Sequence, residues 1–481
     1  MPTIVAAIDP VTRIEGHLKV DVAIDTVDGV QQVTDVRTVG TLFRGFEKIL
    51  ENRDPRDAPL ITSRICGVCP TSHSVAAVLA LDKVALADLD KDMAKAGRHL
   101  RNLVHGACFL ESHILHFYLL SLPDYIHGPG MPPWTPAFEM DRRVDKASAD
   151  LFLSHYLEAI TLRRRCHEIG AIFGGKLPHS PAYIPGGFTA VPSQPNMDAF
   201  LAGLDEILAF IETRYLPDVD RLATLYSDYF FIGRGYGNLL SYGAFELDNP
   251  GTTKLFQAGR IINGAGAVQP FDPAAITEDV THAWYTDADN NLNPADGQTN
   301  AVYPKTGGYS WLKAPRYGGV PYECGPLARM WINGEYTHGV SVMDRIRARA
   351  LEARKMALAM KAWLASFRAG AVTVKIDWPA PQSAAAMGLT EAPRGALGHW
   401  LKIENGVIAK YQVITPTCWT ISPRDGAGQL GPLEQALIGT PVANASHPVE
   451  VLRVIHSVDP CLDCATHVMR AEEAERKWRS T

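Results

Sequence analysis

The sequence has little of what several common protein classes require. It contains eight cysteines in 481 residues, too few for the dense disulfide framework of small secreted domains. Its net charge of −6 provides no basic face for nucleic acid or anionic lipid. No uninterrupted apolar run reaches the 18 or so residues of a membrane span, and Asp9 and Pro10 interrupt the apolar start that a signal peptide needs. We therefore expect no nucleic-acid binding and no direct membrane span.

Four of the cysteines form two C-x-x-C pairs at opposite ends of the chain. Residues 64–73 read R-I-C-G-V-C-P-T-S-H and residues 459–467 read D-P-C-L-D-C-A-T-H, so a histidine follows each pair. Thiolates are soft ligands, and a C-x-x-C turn directs both sulfurs to one zinc, copper(I), nickel or iron–sulfur species. The two distant pairs predict that both ends of the chain converge on one metal centre. Its sulfur ligands are Cys66, Cys69, Cys461 and Cys464.

Structural zinc is the alternative for these cysteines, although a zinc ribbon usually places its two pairs about 15–20 residues apart.

Length alone suggests two to four domains of about 100–200 residues each, whereas a shared centre predicts one interlaced unit. The other cysteines are scattered singly, which predicts small buried hydrophobic side chains. These are Cys108, Cys166, Cys324 and Cys418.

The apolar pattern predicts a mainly α fold of the α+β class, with a core bundle of long helices and small peripheral antiparallel sheets. Long helices are predicted over 98–122, 144–173, 197–226 and 343–369. Pro70 begins a further helix directly after Cys69, which places the first thiols at a helix N-terminus, where the macrodipole lowers a thiol pKa.

Alternating β-branched residues predict strands near 18–22 and 33–36, and Asn405-Gly406 predicts a type I′ hairpin turn. Residues 228–339 are crowded with glycine, proline and aromatic residues, which predicts irregular surface structure or a partner-facing lobe. A last helix over 448–457 leads to the second cysteine pair.

Six further stretches accompany the two cysteine motifs. They are I-D-P-V-T-R-I-E-G-H (8–17), F-R-G-F-E (43–47), R-D-P-R-D-A (53–58), K-A-P-R-Y (313–317), G-P-L-A-R-M-W (325–331) and E-A-P-R-G (391–395). Together the motifs resemble those of the large subunit of nickel-iron hydrogenases, close to the periplasmic uptake type and its selenium-containing branch. The resemblance implies that large-subunit fold and the reversible heterolytic cleavage of dihydrogen into protons and electrons.

The resemblance also implies the metals and their ligands. All four thiolates would hold nickel, with Cys66 and Cys461 terminal and Cys69 and Cys464 bridging to an iron that carries cyanide and carbon monoxide. In the selenium-containing branch the position of Cys461 is selenocysteine, and here it is cysteine.

By family position, magnesium or iron would occupy a second site made by Glu47, His467 and the main-chain carbonyl of Ile421, a hard-ligand set that suits such an ion. A solvated helix face is the alternative for Glu47.

Proton transfer needs a base near the metals. Cys461 would take the proton first, and Glu15 is the candidate for the next carrier, because partial burial raises a carboxyl pKa. Pairing of Glu15 with Arg13 on a strand surface is the alternative. The family places Arg394 above the open metal position, where its charge offsets that of the cluster; packing of this arginine in a loop is the alternative.

Three more residues are expected around the metals: His73 donating to a bridging sulfur, Asp459 orienting Arg394, and Pro393 forming an apolar wall. Ordinary helix-cap or turn roles are the alternatives for His73 and Asp459. Ser112 stands where many family members carry aspartate, a departure shared with the selenium-containing branch. That departure removes one carboxylate partner of Arg394.

No C-x-x-C-x-x-C run is present to hold an iron–sulfur relay, which implies a heterodimer with an iron–sulfur small subunit. The resemblance further implies nickel-insertion proteins and an endopeptidase that removes residues 468–481, leaving 1–467 as the mature domain. A periplasmic location is expected, with export and any membrane attachment supplied by partners; a cytoplasmic location is the alternative. A regulatory hydrogen sensor, a quinone-reductase module of the complex I type and a structural zinc protein remain alternative functions.

Overall fold

The computed structural model describes residues 3–465 except 87, 136, 139, 376, 377, 379 and 380. The helices are α1 Phe46–Leu50, α2 Ala58–Thr62, α3 Pro70–Ala85, α4 Leu89–Asp92, α5 Lys95–Leu115, α6 Lys146–Gly174, α7 Gln194–Phe210, α8 Leu216–Leu225, α9 Pro326–Ile332, α10 Val342–Ala365, α11 Pro416–Thr420, α12 Pro432–Leu437, α13 Val449–Ser457 and α14 Leu462–Ala465. The strands are β1 Ile4–Ile8, β2 Leu18–Val27, β3 Val30–Gly40, β4 Tyr183–Ile184, β5 Gly187–Phe188, β6 Leu239–Glu246, β7 Lys254–Ile262, β8 Ala265–Gln269, β9 Ile276–Asp279, β10 Ala314–Tyr317, β11 Glu323–Cys324, β12 Ser383–Ala392, β13 Gly395–Glu404 and β14 Val407–Ile414.

The long helices pack into the predicted bundle around α5. Helices α6 and α10 lie against α5, and every residue of α5 except Lys95 is buried. The helical segment Lys95–Asp124 is long and apolar enough to cross a membrane by length and composition, but 89% of the qualifying window is buried within the fold. A helix that is covered on all sides carries apolar residues all round, which accounts for this composition.

The predicted helix boundaries are correct to within a few residues, except that the helix predicted over 98–122 is α5 followed by the π-helical turn His116–Ser121. Helix α6 ends at Gly174, and Gly175 has a φ of 74°, as a glycine that terminates a helix should. The predicted helix 197–226 is α7 and α8 joined by the π-turn Ile211–Tyr215. Helix α10 ends at Ala365, before the predicted 369, because Ser366 caps it.

The sheets are small and lie around the bundle. Their strand orders are β1-β2-β3, β4-β5, β10-β9, β11-β6-β7-β8 and β12-β13-β14, and only the pair β11–β6 is parallel. The hairpin between β13 and β14 turns at Asn405 and Gly406, with φ values of 54° and 76°. Both values are positive, which confirms the predicted type I′ turn.

The prediction of irregular surface structure across 228–339 holds between Asp279 and Ala314, where no strand or α-helix is described, and is wrong for the rest of the segment; its alternative, a partner-facing lobe, stays a prediction. This segment contributes β6 to β11 and α9, and β6 is buried along Leu239–Phe245. Strand β6 packs against α9, β12 and β13. A strand covered on both faces lacks the apolar–polar alternation by which strands are recognised in a sequence.

Candidate metal centre

The four motif cysteines meet at one buried point, as their spacing predicts. Their Sγ atoms all lie within 4.8 Å of one another, and each residue is at most 1% exposed. The Sγ–Sγ distance is 3.4 Å between Cys66 and Cys461, 3.3 Å between Cys69 and Cys464, and 2.9 Å between Cys461 and Cys464. No described cysteine forms a disulfide. Four soft donors at this spacing fit a thiophilic metal.

The first pair is shaped by the start of α3. Cys69 is the N-cap of this helix, and Pro70 occupies its first position, where a missing N–H costs nothing. The backbone amides of Val68 and Cys69 donate to Sγ of Cys66 over 3.3 and 3.1 Å. These donors stabilise negative charge on the Cys66 sulfur.

The four thiols cannot all ionise together. Burial opposes ionisation of Cys66, but hydrogen bonds from Cys461, Cys464 and Cys69 and the charge of Arg394 lower its pKa well below the ordinary value. Hydrogen bonds from Cys461 and Cys464 favour a Cys69 thiolate, yet the Cys66 charge and burial raise the pKa of Cys69 to about 11. Burial and the neighbouring sulfurs raise the pKa of Cys461 and Cys464 well above normal.

The predicted lowering of the thiol pKa at the start of α3 therefore holds for Cys66 and is wrong for Cys69. The hydrogen bond between Cys69 and Cys66, burial and the Cys66 charge oppose ionisation of Cys69. Because metal ligation requires deprotonated sulfurs, metal binding at this cluster must release protons.

The N-terminal motif reaches the second cysteine pair through its backbone. The amide of Glu15 donates to the carbonyl of Pro460 over 3.2 Å, and the amide of Leu462 donates to the carbonyl of Glu15 over 2.7 Å. Gly16 follows with a φ of 80°, and a Cβ there would lie 2.5 Å from the Asp463 nitrogen. Only glycine allows this close approach, which explains its place in the R-I-E-G-H motif.

The carboxyl group of Glu15 lies beside Gly67, within the first C-x-x-C pair. Burial and the nearby Cys66 sulfur raise its pKa to about 7, opposed by Arg394 and by a backbone hydrogen bond from Gly67. Arg13 forms its ion pair with Asp124, so the alternative of a Glu15–Arg13 surface pair is wrong. The Glu15 side chain is thus directed to the cluster rather than to a surface cation.

Arg394 lies in the tight turn between β12 and β13, beside the cluster. Its Nε donates to the backbone carbonyl of Asp459 over 3.1 Å, and Nη2 lies 3.0 Å from Oδ1 of Asp459. Burial would lower the pKa of Arg394, but the charges of Asp459 and the cysteines raise it well above normal. The Asp459 contact is an ion pair without hydrogen-bond alignment, and neither Nη atom donates to a described residue.

Pro393 and Ser112 are also buried at this end of the bundle. The Pro393 carbonyl accepts a hydrogen bond from Arg329 over 2.8 Å. Ser112 Oγ makes no hydrogen bond to the described residues. The carboxylate beside Arg394 is therefore that of Asp459, which comes from the second cysteine motif rather than from α5.

His73 belongs to a chain of buried polar side chains. Its Nδ1 lies 3.2 Å from Nε2 of His399, and Nδ1 of His399 lies 2.8 Å from the hydroxyl of Tyr411. The sequence analysis missed His399 and Tyr411. The signal for His399 was available, since it follows the E-A-P-R-G motif by a few residues in β13.

Glu47 and Ile421 are both buried, so the alternative of a solvated helix face for Glu47 is wrong. The carboxylate of Glu47 accepts from the Val413 amide over 2.9 Å and from the Thr299 hydroxyl. The Ile421 carbonyl accepts from the hydroxyl of Thr38 over 3.1 Å. The third predicted ligand, His467, lies outside the described residues.

A charged pair missed by the sequence analysis lies near Glu47. The ammonium group of Lys313, which opens the K-A-P-R-Y motif, lies 3.2 Å from Oε2 of Glu278 and 3.4 Å from Oε1 of Gln412.

The cysteines outside the two C-x-x-C pairs, which include Cys108 and Cys166, are free and buried, as predicted.

The chain matches known proteins along nearly its whole length. A family model described as nickel-dependent hydrogenase matches residues 44–129, 133–339 and 333–467, and a HoxL-like model matches 6–35. The periplasmic NiFeSe hydrogenase large subunit of Desulfomicrobium baculatum is 40% identical over 98% of this chain and 96% of that protein. The uptake hydrogenase large subunit of Bradyrhizobium diazoefficiens is 34% identical over 97% of this chain and 96% of that protein.

Solved structures agree with these relatives. The Ni-Fe-Se hydrogenase from D. vulgaris Hildenborough in the reduced state is similar with a TM-score of 0.92 and 41% identity, covering 97% of this chain and 100% of that chain. The predicted architecture of a helical core with small peripheral sheets is thereby confirmed.

Proposed function

The chain belongs to the nickel-dependent hydrogenase family, and from this premise we propose how its residues hold the metals and carry the proton. It is the catalytic large subunit of a hydrogenase, an oxidoreductase that acts on dihydrogen. Its relatives are hydrogenase large subunits, which favours catalysis over the regulatory sensor. The convergence of four buried sulfurs carries the proposal, and it disfavours a quinone-reductase module that has lost this quartet.

All four sulfurs would hold nickel, Cys66 and Cys461 as its own ligands, and Cys69 and Cys464 would also serve an iron. All four sulfurs lie within 4.8 Å of one another, which supports their joint binding of a metal cluster. When bound, the metals would supply the polarisation that cleaves dihydrogen heterolytically and the redox capacity to pass on its electrons. The surrounding residues exclude water, since each of the four cysteines is at most 1% exposed.

Arg394 provides the polar contact for cyanide on the iron. Both of its Nη atoms are buried and make no hydrogen bond to the described residues, and a buried guanidinium without acceptors is costly unless a ligand supplies them. Pro393 provides an apolar wall for carbon monoxide beside it. Asp459 holds the guanidinium in place through its carbonyl and its carboxylate.

The proton passes from the Cys461 thiol to the carboxylate of Glu15. The backbone of Glu15 is hydrogen-bonded on both sides of Cys461, to Pro460 and to Leu462. These backbone contacts hold the Glu15 carboxyl group near the cysteine cluster. Its pKa of about 7 allows it to take up and release a proton near neutral pH. His73 is proposed to donate to a bridging sulfur and so to orient the cluster.

Magnesium or iron occupies a second site formed by Glu47, the Ile421 carbonyl and His467. Burial of the Glu47 carboxylate supports this proposal, since an exposed carboxylate is common without an ion. One carboxylate, one carbonyl and one imidazole, completed by water, suit a six-coordinate ion.

An iron–sulfur small subunit receives the electrons. The relatives are named large subunits, which implies a smaller partner, and this chain has no cysteine run for a relay of its own. Nickel-insertion proteins and an endopeptidase that cuts after His467 complete its maturation. The Desulfomicrobium relative is periplasmic by name, which favours export of this chain with its partner over a cytoplasmic location.

Glu15→Gln tests the proton route. We expect the variant to keep nickel, iron and the fold, and to lose hydrogen–deuterium exchange by about 100-fold or more, because an amide accepts a hydrogen bond but does not relay a proton. Glu51→Gln is the matched control, since Glu51 is a surface glutamate paired with Lys48 at 2.9 Å. Exchange near the wild-type rate in Glu15→Gln would place the relay elsewhere.

A further inference from the structure

Arg329, in the G-P-L-A-R-M-W motif, lies at the centre of a fully buried charge network. Its Nε and Nη2 donate to both oxygens of Glu352 over 2.8 and 2.5 Å, and its Nη1 donates to Glu391 over 2.8 Å. Glu352 also contacts His113 at 2.8 Å. All of these side chains are inaccessible to solvent. Burial opposes the charge on Glu352, yet Arg329 and His113 lower its pKa to about 2.

The remaining donors of Arg329 bind the backbone next to Arg394. Nη1 donates to the carbonyl of Ala392 over 3.0 Å, and Nη2 donates to the carbonyl of Pro393 over 2.8 Å. The Pro393 carbonyl belongs to the peptide unit that carries the Arg394 nitrogen. Arg329 therefore fixes the peptide plane from which the Arg394 side chain departs.

The turn depends on such an external contact. Ala392 pairs with Gly395 across the hairpin, so Pro393 and Arg394 are its two loop residues. Neither has a positive φ, and the turn is thus not of the I′ or II′ type that matches the twist of two strands. Gly395 has a φ of 135°, and a Cβ there would lie 2.4 Å from the Cys324 sulfur. Arg329 supplies such an external contact through its hydrogen bonds to the Ala392 and Pro393 carbonyls.

We propose that Arg329 is a positioning residue for Arg394, acting through the Ala392 and Pro393 carbonyls, with Glu352 and Glu391 fixing Arg329 in turn. This inference rests on the function proposed for Arg394. A rigid turn keeps the Arg394 guanidinium beside the metals, where a small displacement is enough to slow the reaction. Arg329 itself touches neither the cysteines nor, by its described contacts, the reacting atoms.

A double-mutant cycle on the holoenzyme tests the proposal. Lysine lacks the planar fork that spans two carboxylates and two carbonyls. We expect Arg329→Lys to retain nickel and iron and to lower kcat for dihydrogen oxidation by about 10–100-fold with KM unchanged. Arg394→Lys should also lower kcat. The double variant should be no slower than Arg394→Lys alone, because Arg329 acts through Arg394.

Arg101→Lys is the matched control. Arg101 is buried, pairs with Asp82 at 2.6 Å and donates to the carbonyls of Gly187 and Ile184, without contact to the turn. Amide exchange of residues 391–396 should accelerate in Arg329→Lys and stay unchanged in Arg101→Lys. If Arg329→Lys loses its metals, Glu391→Gln replaces it in the cycle, with a smaller loss of kcat expected in the same direction.

Different results would contradict the positioning role of Arg329 and the function proposed for Arg394. Independent, multiplicative losses in the double variant would overturn the positioning role of Arg329 and leave the function of Arg394 intact. Wild-type kcat in Arg394→Lys would overturn the function proposed for Arg394, and this inference with it. Unchanged amide exchange of the turn in Arg329→Lys would also overturn the inference.

Discussion

Cys461→Ala is expected to remove nickel and iron together and to abolish dihydrogen turnover, and Cys66→Ala is expected to do the same. Each cysteine supplies one of four sulfurs that lie within 4.8 Å of one another. No other side chain among the described residues offers a sulfur at this point except Cys108, which donates to the Val68 carbonyl. The three remaining sulfurs give the metals an incomplete set of ligands and leave charge uncompensated in a buried site. Neither metal is therefore retained.

Metal analysis combined with an infrared spectrum measures this result. Wild-type protein should contain one nickel for each iron that carries cyanide and carbon monoxide and should show the infrared bands of these ligands, and both the nickel and the bands should vanish in each variant. Cys166→Ala is the control, because Cys166 is an equally buried free thiol in α6. Active wild-type protein with stoichiometric zinc and no nickel would contradict the prediction.

Local sequence signals were sufficient wherever one short segment decides the structure. Asn405 and Gly406 accept positive φ values, so the hairpin follows from two residues. Pro70 and the residues after it start α3 for equally local reasons. The cysteine quartet could also be predicted, because two identical spacings, each followed by a histidine, are a pattern that needs no knowledge of the fold.

Other features depend on packing that no local pattern records. Strand β6 is covered on both faces, so its sequence lacks alternation. Glu47 lies in the five-residue helix α1, which is too short to show which face is buried. Asp459 stands beside Arg394 although 65 residues separate them in the sequence.

The order of the pKa values of the four cysteines also depends on packing that no local pattern records. It depends on burial, on the contacts among the four sulfurs and on Arg394, which together lower the pKa of Cys66 and raise those of the other three. The spacing of the cysteines is identical in the two pairs and gives no sign of this difference.

Mature, active protein is expected to end at His467, without residues 468–481. This segment is rich in charge, with Arg470, Glu472, Glu473, Glu475, Arg476, Lys477 and Arg479. The described chain ends at Ala465, which is buried directly after Cys464. Burial of unpaired charge is strongly unfavourable, so a charged extension this close to the ligands opposes their entry into the core. Cleavage after His467 removes that opposition once nickel is bound.

Intact mass of the purified active enzyme decides the question. A substitution that blocks cleavage, such as Val468→Pro, should yield protein that retains the extension, lacks the small subunit and does not turn over dihydrogen. Arg479→Ala is the control, since it alters the extension far from the junction and should be processed normally. An active enzyme whose mass includes Val468 to Thr481 would mean that the extension is an ordinary solvated tail. In that case the Val468→Pro protein, which keeps the charged extension, should turn over dihydrogen as fast as wild type. Intact mass and activity must therefore lead to the same conclusion.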